Sequence, residues 1–288
     1  MKIITKLSVF SVLFIPLLIV PLTTACTIFT VSNGENVLFG GNEDQKPNSS
    51  FLVVDKSGKF GVVYFATPWK HWPVAMQMGI NEKGLCYDAN WIPLEKLNPH
   101  PEKKTQYEWA ITKIMKESAT VDEVLSKIFT YNWKSSISYQ IHFADQSGDA
   151  AVIHPGKDGE LTYSRKPKGN SYLISTNFNL VRLDKGTWSC NRYKTADKLL
   201  SKRGLQDDLT VDFMVSVLKA TQQDWDYKTI YSAVYDLRNL RIYLYYNRQF
   251  DKAHVLDVKK ELAKTPYYRQ VPLYYLISDK NNDKCLSR

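Results

Sequence analysis

Cys26 follows a segment that reads as an export signal, and a cysteine exposed at a chain start carries two reactive groups on one residue. Its thiol can attack a carbonyl carbon while its own α-amine, of reference pKa about 7.7–8.0, accepts and returns the proton. No histidine is then required, which suits a chain whose histidines, His71, His100, His142, His154 and His254, follow no pattern. An ordinary thiol titrates near about 8.5, so a neighbouring cation would increase the thiolate share. The tetrahedral oxyanion also needs donors, either backbone N–H groups or Asn side chains. Neither C-x-x-C nor H-E-x-x-H occurs, so neither a metal site nor a cofactor is expected.

The signal is legible in residues 1–25. Lys2 and Lys6 give a positive head, an apolar stretch runs from Leu7 to Leu22, and Thr23-Thr24-Ala25 offers a small-residue cleavage site. Pro16 and Pro21 interrupt the stretch, which falls short of the roughly 18–20 residues of a spanning helix. A cleaved signal peptide, a secreted or periplasmic location and no stable membrane span after cleavage are the expectations. Residues 26–288 then form a single domain that starts at Cys26. Two alternatives stay open at this level. A lipoprotein also starts at Cys, acylated on both catalytic groups, but its recognition site usually has Leu three residues earlier, where Thr23 stands and Leu22 is one further back. A papain-like hydrolase would use Cys86 or Cys190 with a distant histidine. Cys26, Cys86, Cys190 and Cys285 lack scaffold-like spacing, and a free Cys26 leaves at most one disulfide.

Composition narrows the class. With 44% hydrophobic and 23% charged residues, the 288-residue chain is neither disordered, collagen-like nor a multi-span membrane protein. The formal charge of +9 is spread over scattered sites such as Lys56, Lys103, Lys104, Lys259 and Lys260, so no nucleic-acid partner is expected. The 18 Tyr and 7 Trp favour a β-rich core.

The elements that must hold Cys26 follow from periodicity. Alternation predicts a strand at 26–31, a turn at Ser32-Asn33-Gly34 and a returning arm at 36–40. Further strands are expected at 51–54, 61–66, 75–80 and 85–89, the last two joined by Asn81-Glu82-Lys83-Gly84. Tyr107, Ala110, Ile111, Ile114 and Met115 make a helical stripe, and Thr120-Val121-Asp122-Glu123 has the form of a capping box before Val124, Leu125 and Ile128. Strands resume at 139–144, 150–154, 161–163 and 172–176, with helices at 192–202 and 211–219. The chain closes with strands at 230–235 and 240–246 and a helix at 258–264. This order is α+β, satisfied by two stacked antiparallel sheets with helices outside.

Several blocks then fall in a set order: Cys26-Thr27-Ile28-Phe29, Phe39-Gly40-Gly41-Asn42-Glu43-Asp44, Gly79 to Leu85 ending at Asn90, Ser175-Thr176-Asn177 and Asn191-Arg192-Tyr193. The set resembles the choloylglycine hydrolase family, the linear-amide hydrolases of the N-terminal nucleophile group that include bile salt hydrolases, penicillin V acylases and acyltransferase relatives. The resemblance runs over nearly all of 26–288, with loops short for a bile salt hydrolase. It implies a four-layer αββα fold, Cys26 as nucleophile with its α-amine as proton carrier, and a small acyl amide as substrate. It further implies that Asp44 holds the amine, that Asn90 and Asn177 lie at the oxyanion hole, and that Arg192 is a cation near the thiol. Hydrolysis and acyl transfer to an amine both stay open, as does a non-catalytic lipid-anchored binding protein, and relatives leave room for a homo-oligomer. One departure stands out: many relatives have Arg before the Asn of the Asn-x-Asp block, where this chain has Gly41, which puts bile-salt specificity in doubt. Lys46 is a candidate replacement. Trp69, Trp72 and Trp91 are candidates for an acyl pocket or for core, and Asn48-Ser49-Ser50 has the form of a glycosylation acceptor.

Overall fold

The computed structural model describes residues 26–46, 49–69, 72–105, 110–167, 172–185, 190–202 and 209–278. The signal segment, Asn48, His71, Tyr107 and Cys285 lie outside the described residues, as do the side chains of Trp69 and Trp72.

In chain order the strands and helices are β1 (Thr27–Ser32), β2 (Val37–Gln45), β3 (Phe51–Asp55), β4 (Val62–Trp69), β5 (Trp72–Asn81), β6 (Cys86–Lys96), β7 (Lys104–Thr105), α1 (Ala110–Glu117) and α2 (Val121–Ile128). There follow β8 (Tyr131–Asn132), β9 (Ser136–Ala144), β10 (Ala150–Pro155), β11 (Leu161–Arg165), β12 (Tyr172–Ser175), a 3-10 turn (Leu180–Lys185), α3 (Asn191–Ser201) and α4 (Val211–Thr221). The remainder is β13 (Lys228–Asp236), β14 (Arg241–Tyr246), β15 (His254–Asp257), α5 (Val258–Lys264), β16 (Tyr268–Pro272) and α6 (Leu273–Ser278).

Two antiparallel sheets stack face to face. One has the order β12-β1-β2-β13-β14-β15 and the other β11-β10-β9-β6-β5-β4-β3-β16, while β7 and β8 form a short parallel pair. Alternation along each strand sends its side chains to opposite faces. On β1, Ile28 enters the core between the sheets with Phe39, Phe65, Met78, Ile80 and Leu244, whereas Phe29 points outward with Met214, Val217, Leu218 and Leu200 of α4 and α3. On the other sheet, Tyr64, Leu85 and Tyr87 pack outward against Ile114, Met115, Val124 and Leu125 of α1 and α2. The result is the four-layer αββα arrangement, as the resemblance implies.

Local chemistry sets the connections. Asn33 Oδ1 accepts the backbone N–H of Asn36 at 2.8 Å, which closes the β1–β2 turn around Gly34 at φ 89°. Asn81 Oδ1 accepts from Lys83 and Leu85 N–H, and its amide nitrogen donates to the carbonyls of Met115 at 2.8 Å and Ser118 at 2.7 Å, so one side chain both shapes the β5–β6 turn and caps α1. Thr120 caps α2 by accepting from Glu123 N–H, but the returning Glu123 carboxylate takes the N–H of Ala119 rather than that of the cap residue. Several strands outrun their expected lengths, β2 and β6 by the most: β2 continues to Gln45 and β6 to Lys96. Those extensions hold the polar residues Asn42, Glu43, Asp44, Asn90 and Glu95, which break hydrophobic alternation while their backbones still pair with β13 and β9. Among the described residues no helix is long and apolar enough to cross a membrane.

Candidate active site

Cys26 precedes β1 at the sheet end and is buried, with 5% of its surface exposed. Three carboxylates surround it. Its Sγ–H points at Glu43 Oε1, 3.8 Å away, and the backbone N–H of Asp44 donates to the sulfur. Burial first, and then the charges of Glu43, Asp44 and Asp88, push the thiol well above its ordinary value.

Arg192 ties the site together. It sits in the first turn of α3, where the helix already presents positive charge, and its side chain leaves the helix for the sheet ends. Nη1 donates to the carbonyl oxygen of Cys26 at 2.7 Å and to Thr27 Oγ1 at 3.1 Å, and stands 3.8 Å from Asp44 Oδ2. Nη2 donates to Asn177 Oδ1 at 2.9 Å. The guanidinium thus meets Cys26 at its carbonyl rather than at its sulfur, and it orients Asn177 so that the amide nitrogen points the other way.

Asn177 follows β12 in a segment gripped from the opposite sheet. Gln140 Nε2 donates to the carbonyls of Thr176 at 2.7 Å and Phe178 at 2.9 Å, on either side of Asn177. Asn177 Nδ2 donates to the carbonyl of Trp91 at 2.8 Å, which leaves its second N–H. Asn90 is the register partner of Gln140, is fully buried, and has neither its side-chain oxygen nor its nitrogen hydrogen-bonded. A buried amide without partners is costly and invites a ligand or a water.

Asp44 is engaged on the outer face of β2. It accepts hydrogen bonds from Thr229 Oγ1 and, at 3.1 Å, from Gln223 Nε2. Burial pushes its carboxyl up to about 8 against the pull of Thr229, Arg192 and Gln223. Asn42, on the same face, donates to Leu218 carbonyl at 2.9 Å and Thr221 Oγ1 at 3.1 Å of α4, and accepts from Ser232 Oγ at 2.6 Å. The Asn of the Asn-x-Asp block is therefore a strut between sheet and helix.

Glu43 and Asp88 were not among the residues singled out by sequence. Glu43 faces the inter-sheet space and is 3% exposed; burial pushes it up to about 7, against hydrogen bonds from Gln45 and Cys26. Asp88, fully buried, accepts from Ala89 N–H at 2.7 Å, and burial with the charge of Glu43 pushes it well above the carboxylate range. Glu43 Oε2 and Asp88 Oδ2 have no hydrogen-bond partner. Asp88 also accounts for Gly41: a Cβ there would lie 2.6 Å from Asp88 Oδ2 and 2.5 Å from Met78 Cε. The space that an arginine would need is filled by the Asp88 side chain. Lys46, the candidate replacement, lies with its Nζ 5.7 Å from the centre of the Tyr227 ring.

The other thiols have other surroundings. Cys86 is buried in the inter-sheet core and Cys190 accepts from Thr176 Oγ1 at 3.3 Å. Three histidines are committed elsewhere: His142 bridges Thr30 and Ser175, His154 binds Ser164 and the Pro155 carbonyl, and His100 binds Glu102 and Glu160. Burial pushes His142 down to about 3, so it is a neutral clamp between the sheets. Cys26, Cys86 and Cys190 are all free thiols.

Comparison with known proteins gives one family and several structures. The family described as Acyl-coenzyme A:6-aminopenicillanic acid acyl-transferase matches residues 31–250. A variant of conjugated bile acid hydrolase from Clostridium perfringens superposes with a TM-score of 0.66 at 14% identity, covering 86% of this chain and 97% of that one. Penicillin V acylase from Agrobacterium tumefaciens gives 0.60 at 17% identity, with 86% and 92% covered. The fold is shared with both. No curated protein sequence matches the chain.

Proposed function

The chain belongs to the acyl-coenzyme A:6-aminopenicillanic acid acyl-transferase family, and from that premise we propose an exported enzyme that cleaves linear amide C–N bonds through a thioester on Cys26. Removal of residues 1–25 frees the α-amine, the sulfur attacks the acyl carbon, and water resolves the thioester. Asp44 holds the new ammonium, whose charge would return the carboxyl from its raised value to the ionised form. The second N–H of Asn177 and the unpartnered amide of Asn90 are the donors offered to the oxyanion. Arg192 acts by positioning, through the Cys26 carbonyl and Asn177 Oδ1.

The observation that carries this reading is the guanidinium of Arg192, which links Cys26, Asp44 and Asn177 from three distant segments into one cluster. The likeness to a bile acid hydrolase and a penicillin V acylase suggests acyl amides of those two kinds as first substrates. Asp88 fills the space beside Gly41 where many relatives have Arg, so the site lacks a guanidinium there to bind an anionic conjugate, and uncharged N-acyl amides are favoured. The family's own description makes transfer of the acyl group to an amine the second reading.

The test is a panel of fluorogenic N-acyl amides with protein that starts at Cys26, with and without added amine acceptor. Cys26→Ser is expected to lower kcat/KM by about 10³-fold or more. Retaining Ala25 is expected to remove turnover with the circular dichroism unchanged, and full activity of that form would sink the amine's role. Intact mass separates a free Cys26 from one bearing diacylglycerol, which would identify a lipid-anchored protein instead.

A further inference from the structure

Both proposed oxyanion donors, Asn90 and Asn177, meet the frame at Gln140. This glutamine lies on β9 and is fully buried. Its strand neighbours Ile141 and Phe143 pack outward under α1 and α2, so Gln140 and His142 face the other sheet. His142 uses that position to bridge Thr30 of β1 and Ser175 of β12. Gln140 reaches the chain just beyond, where the pairing of β12 with β1 has ended at Ser175. Its Nε2 commits both N–H groups, to the carbonyls of Thr176 at 2.7 Å and Phe178 at 2.9 Å, and its Oε1 accepts from Leu180 N–H at 3.4 Å. In the β6–β9 register Asn90 stands opposite Gln140, and Trp91, whose carbonyl accepts from Asn177 Nδ2, stands opposite Tyr139. The side chain of Asn177 is thus aimed by Trp91 and Arg192, and the backbone that carries it is pinned on both sides by Gln140. A buried carboxamide is costly to desolvate, and an apolar residue would suit the inter-sheet core better unless those carbonyls must be held.

We infer that Gln140 is a positioning residue for the reaction: its carboxamide sets the backbone from which Asn177 offers its second N–H to the oxyanion. The inference rests on the proposed role of Asn177. A donor stabilises the tetrahedral adduct only when it stands about 2.7–3.1 Å from the place where the negative oxygen forms. A misplacement of about 1 Å costs on the order of 10²-fold in rate. Thr176-Asn177-Phe178 lies past the end of β12, so the β1–β12 ladder does not fix it, and the Asn177 amide hangs from its Cα by two rotatable bonds. If the Cα shifts, Nδ2 keeps its bond to Trp91 by rotating, and its second N–H swings off the oxyanion. Gln140 prevents that shift by tying the carbonyls before and after Asn177 to β9. It exchanges no proton and leaves the thiol and the α-amine as they are. The loss on removing it therefore falls on the adduct rather than on the bound amide, in kcat rather than KM.

The test uses protein starting at Cys26 and the fluorogenic N-acyl amide that wild type cleaves fastest, with the rate of iodoacetamide alkylation of Cys26 as a separate reading of the nucleophile. Gln140→Met keeps the length and removes the donors; it is expected to lower kcat about 30-fold, with KM within about threefold and alkylation within about twofold of wild type. Asn177→Ala removes the oxyanion donor itself and is expected to lower kcat about 10²–10³-fold. The double variant is expected to fall less than about threefold below Asn177→Ala, because no side-chain donor is left to position. A merely structural role gives the reverse: the two losses multiply, and alkylation slows in step with kcat. Gln140→Asn, one methylene too short to reach both carbonyls, is the second variant and is expected to lower kcat about tenfold in the same pattern. A kcat within about threefold of wild type in both Gln140 variants, beside a deep loss in Asn177→Ala, removes Gln140 alone. Multiplied losses in the double variant do the same, as does the loss of folded circular dichroism by both Gln140 variants. Full kcat in Asn177→Ala removes the oxyanion reading and this inference together, and turnover retained by Cys26→Ser removes the nucleophile on which both depend.

Discussion

The two faces of β2 differ in how completely their polar groups are paired. On the outer face Asn42 makes three hydrogen bonds, to Leu218, Thr221 and Ser232, and Asp44 is held by Thr229, Gln223 and Arg192. On the inner face Glu43 and, across the gap, Asp88 and Asn90 each leave buried side-chain atoms without a hydrogen-bond partner. A paired network rigidifies, whereas an unpaired buried group is a standing cost that persists where chemistry needs it. The outer face fixes where Cys26 stands, and the inner face keeps groups free to act on it.

Breaking the outer face should have the largest effect on stability. Asn42→Ala removes three buried bonds and strands the Leu218 carbonyl and the Ser232 hydroxyl, at a cost of about 3 kcal/mol in chemical denaturation. A loss below about 1 kcal/mol would mean that the network is not the strut described here.

The inner face should respond with the opposite sign. A carboxyl whose folded pKa lies above its unfolded value binds more protons folded than unfolded across the interval between the two. Stability from Glu43 is therefore full below about pH 4.5 and is lost as pH rises through about 7. Glu43→Gln removes that penalty: the variant is expected to be more stable than wild type at pH 8 by on the order of 1–3 kcal/mol, with the advantage shrinking towards pH 5. Urea titrations at the two pH values read the difference directly, and a pH-independent gap would assign it to packing.

Gly41→Ala is the mildest of the three. The new methyl must displace Met78 Cε and Asp88 Oδ2, both ends of side chains, so a loss of about 1 kcal/mol is expected by thermal melting. A larger loss would show that Asp88 is held in place more firmly than its single bond to Ala89 N–H suggests.

Much of the frame was legible before the fold. The alternation at 26–31 and the Asn33-Gly34 turn locate β1 and the start of β2, and Thr120 caps α2. What escaped were short edge strands and the polar ends of long ones. β15 and β16 have too few residues for a period, and Asn42 to Gln45 and Asn90 to Lys96 read as loop because their side chains are polar, although backbone pairing with β13 and β9 makes them strand. Within the site, Glu43 carried a signal that period-2 geometry could have used, since a neighbour of Asp44 on a strand must face the other way. Gln223 and Thr229 carried none.

The sequence by itself determined which residues can do chemistry at Cys26 and the order of the elements around it, because both depend on side-chain type and on local periodicity. Only the tertiary structure decided that Arg192 meets the Cys26 carbonyl, that Asp88 fills the space beside Gly41, and that Glu43 comes to the thiol rather than to solvent. Those contacts join residues up to 166 positions apart across two stacked sheets, and the raised carboxyl of Glu43 comes from its burial between them. Burial is a property of the assembled layers, and no short window of sequence contains it.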